Sequence, residues 1–251
     1  MRWIRVEPLR EIESKKIGRT LIVPQQRPWP ANLVPSPGKH TVPPVSERVK
    51  RPIAASLACL LGLAVVASLA FGSDSLQRLD ARALRRLAMH RDGGLGDLAT
   101  AIAHLGDPLP QLLLLAIAGL LALRLYGRER ALAVVALVAG ANLTTQLLKL
   151  ALAQPRLQPI LGYYQVGESS FPSGHATAAA AMTYAFVLAV PRRLRLLAGA
   201  VGAVLTIAVG ASVVVLHRHY PSDVLGGLLV ASAWFFATVA VLRARAESGP
   251  G

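Results

Sequence analysis

The sequence predicts an all-α membrane protein, a bundle of six transmembrane helices with one amphipathic helix lying in the interface. Three observations carry this. Hydrophobic residues make up 53% of the 251 residues and charged residues only 16%, against about 25% charged in soluble domains. The charged residues crowd the first fifty positions and a few short loops. Between them run apolar stretches near the roughly 20 residues that a helix needs to cross the hydrocarbon.

The elements follow in order. Residues 1–52 are polar, basic and proline-rich, with Pro28, Pro30, Pro35, Pro37, Pro43 and Pro44. Such a segment buries too little apolar surface to offset the entropy of ordering, so it reads as a largely disordered tail with a short helix near its start at most. Arg48, Lys50 and Arg51 offer a polybasic membrane contact as the functional alternative. Met1–Arg19 mixes Arg, Glu and Lys without an apolar core, so no cleavable signal peptide is expected there. The membrane domain covers residues 53–242, with spans near Ile53–Gly72, Pro108–Leu123, Ala131–Leu150, Ser173–Val190, Leu196–Leu216 and Ser222–Leu242. Between the first two, Leu76, Leu79, Ala83, Leu84 and Leu87 recur at helical spacing among Arg78, Arg82, Arg85 and Arg86. That pattern suits a helix lying in the interface, broken by Gly93, Gly94 and Gly96. Residues 243–251 form a short tail.

Loop charge sets the expected orientation. With the first tail inside, the inner segments hold nineteen of the 27 Lys and Arg, including the short basic loops 124–130 and 191–195. Both termini are then cytoplasmic in the cell membrane, by the positive-inside rule. The same asymmetry accounts for the net charge of +14. In a soluble protein that charge would point to nucleic acid first. Here the basic tail lacks the aromatic stacking pattern of single-strand binders, and no nucleic-acid partner is expected. The single cysteine, Cys59, lies in an apolar run and reads as a buried thiol.

In this orientation three polar constellations share the outer face. Ionisable residues at span ends are costly and usually meet partners. Asn142, Gln146 and Lys149 fall at i, i+4 and i+7, giving the third span a polar face that ends at Lys149, with Arg156 seven residues on. Lys and Arg can stabilise phosphoryl oxygens; alone, the pair fits snorkelling side chains equally. Pro172-Ser173-Gly174-His175 is a helix start in which Ser173 is a candidate N-cap and Gly174 permits close approach. Its free N–H groups and dipole make an anion site, and His175 there can donate a proton. Read alone, it is also an ordinary interfacial helix start. His219 and Asp223 lie four residues apart, on one face if helical. A carboxylate on one imidazole nitrogen fixes the tautomer and strengthens the other as a nucleophile. A salt-bridged pair or a metal-ligand pair is the alternative, the latter lacking a Glu- or Cys-rich set.

Lys149–Arg156, Pro172–His175 and His219–Asp223 resemble the three signatures of the type 2 phosphatidic acid phosphatase family, the lipid phosphate phosphatases. The resemblance covers about Ile53 to Leu242. It implies a six-helix membrane enzyme that uses neither metal nor cofactor. His219 is the implied nucleophile, forming a phosphohistidine, Asp223 orients it and His175 protonates the leaving alcohol. Lys149, Arg156, Ser173 and Gly174 hold the phosphate, and water then hydrolyses the intermediate. The partners expected are a lipid phosphate or diphosphate and the surrounding membrane lipids.

Two positions depart from the family pattern. Leu157 stands where Pro usually follows the first-signature Arg. Ser212 is followed by Val213 where the family has an Arg, so one phosphate cation is missing, and Arg218 is the candidate replacement. Losing such a cation costs on the order of a few kcal/mol of transition-state stabilisation. The alternative to an enzyme is therefore a non-catalytic lipid-phosphate-binding relative of the same fold. A small-solute transporter is a third class, disfavoured because the motif residues sit at span ends and not at midplane.

Overall fold

The computed structural model describes residues 10–12, 21–23, 46–88 and 93–249, in two compact units, Met1–Pro44 and Val45–Gly251. In the first, β1 (Arg10–Ile12) and β2 (Leu21–Val23) pair antiparallel with Arg10 opposite Val23. A strand pair therefore stands where the sequence suggested at most a short helix. The rest of the predicted tail up to residue 45 lies outside the described residues.

The second unit contains eight α-helices among the described residues: α1 (Glu47–Gly72), α2 (Asp74–Ala88), α3 (Gly94–Ala103), α4 (Pro108–Tyr126), α5 (Arg128–Ala151), α6 (Gly174–Ala189), α7 (Arg195–Val215) and α8 (Pro221–Glu247). The helix α1 starts six residues before the predicted span, so Arg48, Lys50 and Arg51 extend a helix and do not end a tail. At the other end α8 runs five residues past the predicted span and takes in most of the predicted C-terminal tail. The basic loop predicted after the second span shrinks to Gly127, whose φ of 83° lies in the left-handed region that favours glycine.

Among the described residues, five segments are long and apolar enough to cross a membrane: Glu47–Gly72, Pro108–Tyr126, Arg128–Ala151, Arg192–Val215 and Pro221–Glu247. Large apolar side chains such as Leu57, Leu61, Leu109, Leu112, Leu196 and Ile207 face outward from them, as they would against lipid. The helix α6, expected as a sixth span, has only 16 residues, a rise of about 24 Å against a hydrocarbon core of about 30 Å.

Yet α6 lies at the centre. It packs against α4, α5, α7 and α8, and buries ten residues, six of them alanines from Ala176 to Ala185. Small side chains let neighbouring backbones approach closely where hydrophobic exclusion supplies no drive between helices. The main core joins α1, α4, α5, α6 and α8, with α1 laid along α8. Ser46 just before α1 donates to Glu247 at the end of α8, and Arg243 donates to the Arg48 carbonyl at 2.7 Å. Both ends of this unit therefore lie together.

The amphipathic segment is α2, but its buried face differs from the expected leucine stripe. Leu84 is fully buried, whereas Leu79 is 58% exposed. Asp80 and Ala81 occupy the inward face with Leu84. A smaller core forms there from Ala81, Leu84, Leu161, Val166, Val214 and Tyr220. The loop after α5 is tied to α2 through Gln158 Nε2, which donates to Gln77 at 3.0 Å.

Candidate active site

The three sequence clusters meet at one end of the bundle, where α5 and α7 end and α6 and α8 begin. Ser173 is the N-cap of α6, its Oγ accepting the Ala176 N–H at 3.4 Å. Its own N–H donates at 2.8 Å to the carbonyl of Asp223 in the first turn of α8. This bond between two helix starts needs close approach, and Gly227 provides it. A Cβ there would meet the Ser173 carbonyl at 2.6 Å and Thr177 Oγ1 at 2.9 Å. Beside the α6 start, Gly174 faces α5: a Cβ there would lie 3.9 Å from both Lys149 Cε and Gln146 Nε2. Lys149 and Gln146 thus share one face of α5, as their spacing predicts, while Asn142 bonds back to the Val138 carbonyl.

The strand of chain from α7 to α8 turns sharply. His217 has φ 59°, and the Val213 carbonyl accepts the N–H groups of Arg218 at 2.9 Å and His219 at 3.2 Å. The turn carries His219 back over the bundle, where it is buried. Its Nδ1 stands 3.5 Å from Asp223 Oδ2, at ion-pair range and not hydrogen-bonded. The His219 and His175 rings are 6.5 Å apart between centroids. Val213 itself is fully buried, and Arg218 is exposed within coulombic reach of His175.

Asp223 is wholly buried and fully engaged. Its Oδ2 accepts the Tyr220 N–H at 2.9 Å, and its Oδ1 accepts from Arg156 Nη2. Arg156 is also buried and has further partners: Ser170 Oγ at 2.9 Å, Ser222 Oγ at 3.1 Å and the Asp80 carboxylate at 3.6 Å. Its guanidinium lies 4.3 Å from the centre of the Tyr220 ring, and the Tyr220 hydroxyl donates to the Arg156 carbonyl at 3.0 Å. Burial pushes the Tyr220 hydroxyl up to about 12, so it stays a donor. Arg156 thus sits behind the His219–Asp223 pair, held among groups of the chain itself.

Two carboxylates here were not singled out from the sequence. Asp80 accepts the Ser222 N–H at 3.1 Å and its hydroxyl. Burial, the largest influence, pushes its carboxyl above the ordinary value against the pull of these bonds and of Arg156. Asp107 precedes Pro108 at the start of α4 and stands 3.3 Å from His175 Nε2. Its other oxygen meets His104 Nδ1 at 2.6 Å, which holds its carboxyl below the ordinary range with His175 assisting. A Cβ on the adjacent Gly106 would overlap the His175 ring at 2.6 Å. The Asp107-Pro108 pair was a readable helix-start signal; Asp80, inside a basic amphipathic helix, carried no comparable signal.

Residues 130–247 match the PAP2 superfamily model, a stretch that begins in α5 and contains all three clusters. Two curated relatives, each named lipid A 1-phosphatase, are 42% identical (Rhizobium johnstonii) and 40% identical (Rhizobium etli) over 77 residues. That match is 30% of this chain and 29% or 30% of the relatives, so the chain spans about three-tenths of the length of the curated relatives it matches. The crystal structure of a transmembrane PAP2 type phosphatidylglycerolphosphate phosphatase from Bacillus subtilis superposes with a TM-score of 0.63 at 23% identity, covering 78% of this chain and 98% of that one. That likeness shows a shared multi-pass fold. Through residues 130–247, then, the chain is similar to the PAP2 superfamily.

Proposed function

We propose that the protein is a membrane phosphatase that hydrolyses a lipid phosphate or diphosphate through a phosphohistidine on His219. The observation that carries this reading is the pairing of the His175 and His219 rings at 6.5 Å, with Asp223 behind one and Asp107 beside the other. With Nδ1 turned to Asp223, the Nε2 of His219 is the nitrogen left to attack phosphorus. The bond from phosphorus to the leaving oxygen breaks as His175 passes its proton to that oxygen. Water then attacks the phosphohistidine, the N–P bond breaks, and the water's proton returns to His175. Lys149, the Gly174 backbone at the α6 start, Ser173 and Arg218 hold the non-bridging oxygens. Arg156 contributes its charge from behind Asp223, which it also steadies. No step calls for a metal or other cofactor.

In this reading α6 is a sixth span, short because its ends meet the buried site at one side and the basic 191–195 turn at the other. Both termini are cytoplasmic and the histidines open to the outer face, supported by the basic residues that gather at the opposite end. A cavity of about 600 Å³ beside α6, with an almost wholly apolar lining that includes Leu105, Met182 and Leu205, suits the tails of a lipid whose head group reaches His175. The names of the relatives favour lipid A or a phosphatidylglycerolphosphate as head-group class. Purified protein should release phosphate from at least one of lipid A, phosphatidylglycerolphosphate, phosphatidic acid and a polyprenyl diphosphate. His219→Ala should lower that rate at least a thousandfold, and acid-labile, base-stable phosphate should appear on the wild-type chain alone. Equal release by wild type and variant would overturn the reading. It would favour instead a non-catalytic lipid-phosphate binder, the reading that the buried Val213 at the family's Arg position supports.

A further inference from the structure

The end of the bundle opposite the histidines holds a second cavity, of about 710 Å³. Four arginines from four helices line it: Arg51 of α1, Arg130 of α5, Arg195 of α7 and Arg243 of α8, over a wall that includes Phe235 and Phe236. No Asp or Glu is among its lining residues. The acids that adjoin these arginines in sequence are already committed. Glu47 pairs with Lys50 at 2.9 Å, Glu129 with Arg245 at 3.7 Å, and Glu247 accepts from Ser46.

Two of the arginines are placed where a cation is costly. Arg130 is the third residue of α5 and Arg195 the first of α7, so each sits at the positive end of a helix dipole. They lie within coulombic reach of one another. Arg130 offsets part of this by donating to the Leu188 carbonyl at 3.4 Å, and Arg243 donates to the Arg48 carbonyl. Arg195 Nε is buried with no hydrogen-bond partner among the described residues. Snorkelling puts a guanidinium into water; a donor closed off from solvent is not satisfied that way. Four converging cations, an orphaned N–H and an aromatic wall at the end of membrane-crossing helices define a ligand that is anionic at one end and apolar at the other.

We propose that this pocket binds the phosphate head group of an anionic phospholipid from the leaflet opposite the histidine site, its acyl chains against Phe235 and Phe236. Asp223 and Arg243 are twenty residues apart on α8, about 30 Å along the helix, so this lipid is not the substrate. By bridging α1, α5, α7 and α8 it stabilises the bundle. The site stands independently of the catalytic reading.

The test uses the full chain in phosphatidylcholine nanodiscs. Binding is read by native mass spectrometry and by the unfolding midpoint as phosphatidylglycerol, more phosphatidylcholine, or inorganic phosphate is added. Phosphatidylglycerol should bind at least tenfold more tightly than phosphatidylcholine and raise the midpoint. Each arginine near a membrane surface is worth about a fivefold change in anion binding, so R130Q/R195Q should weaken it roughly 30-fold. K149A, at the other end, should bind it as wild type does. If R130Q/R195Q does not fold, R51Q/R243Q gives the same reading from the exposed pair. No preference for phosphatidylglycerol in the wild type would overturn the proposal without any variant. So would inorganic phosphate giving the same midpoint shift, unchanged binding in the folded arginine variant, or loss of binding in K149A.

Discussion

Arg156 shows how one side chain can be read in two ways. As a phosphate ligand its removal would raise KM and leave the fold intact. Its observed partners predict otherwise, because it neutralises Asp223 and lies 3.6 Å from Asp80, both buried. Removing one partner of a buried ion pair typically costs about 3–5 kcal/mol. Arg156→Ala should therefore lower the unfolding free energy by about that much, measured by denaturant titration in detergent, and unchanged stability with a raised KM would refute the positioning role. Asp107→Asn makes a contrasting prediction. Asp107 lies at the surface, so stability should barely move while turnover falls about tenfold as His175 loses its partner. Because the Asp107 carboxyl is held below its ordinary value by His104 and His175, it stays charged as pH falls. Its support of His175 is thus present above that lowered value and lost only as pH drops through it. A wild-type rate that loses this support near neutral pH would contradict the assignment. Lys149, His175, His219 and Asp223 were legible in the sequence because chemistry at a span end is conspicuous against apolar neighbours. The contacts of Asp80 and Asp107 were not, since their partners, Ser222 and His175, lie 142 and 68 residues away in the chain; at Asp107 only a helix start was readable.

At the scale of the element, the start of α6 is fixed by α8 as much as by its own cap. Gly227→Ala isolates this. Alanine gains about 1 kcal/mol of helix propensity over glycine, but its methyl would meet the Ser173 carbonyl at 2.6 Å. Overpacking of this kind costs about 1–3 kcal/mol, and the clash is with backbone that cannot turn aside. The expected outcome is a lower unfolding midpoint together with lost phosphate release, and an alanine variant of full activity would show that the two helix starts need no such contact. The helix α2 behaves similarly. Its leucine spacing made an amphipathic helix readable, but periodicity alone placed Leu79 inward when the packed face is Asp80, Ala81 and Leu84. The carboxylate is drawn in by the Ser222 N–H and hydroxyl, an arrangement no helical wheel contains. Asp80→Ala would leave those donors unpaired, at about 1–3 kcal/mol.

At the scale of the whole molecule, the charge distribution over the described helices predicts an orientation. Arg51, Arg130, Arg195 and Arg243 gather at one end of the bundle and the two histidines at the other. Five helical segments among the described residues are long and apolar enough to cross. The sixth turns on α6, whose 16 residues are too few by length alone. Its alanine-rich packing at the bundle centre and the buried Ser173–Asp223 contact at one end allow a short helix to complete a crossing that its neighbours shield from lipid. If α6 crosses, the loop before it and the turn after it lie on opposite sides. Single cysteines at Tyr163, fully exposed in that loop, at Arg193 in the turn and at Ser248 after α8 test this in a Cys59→Ala background. In right-side-out vesicles a membrane-impermeant maleimide should label the residue-163 cysteine directly, and those at 193 and 248 only after permeabilisation. Labelling of 163 and 193 from the same side would reduce the bundle to five spans. Labelling of 248 in place of 163 would turn the histidines to the cytoplasm, where the arginine pocket would meet the outer leaflet instead.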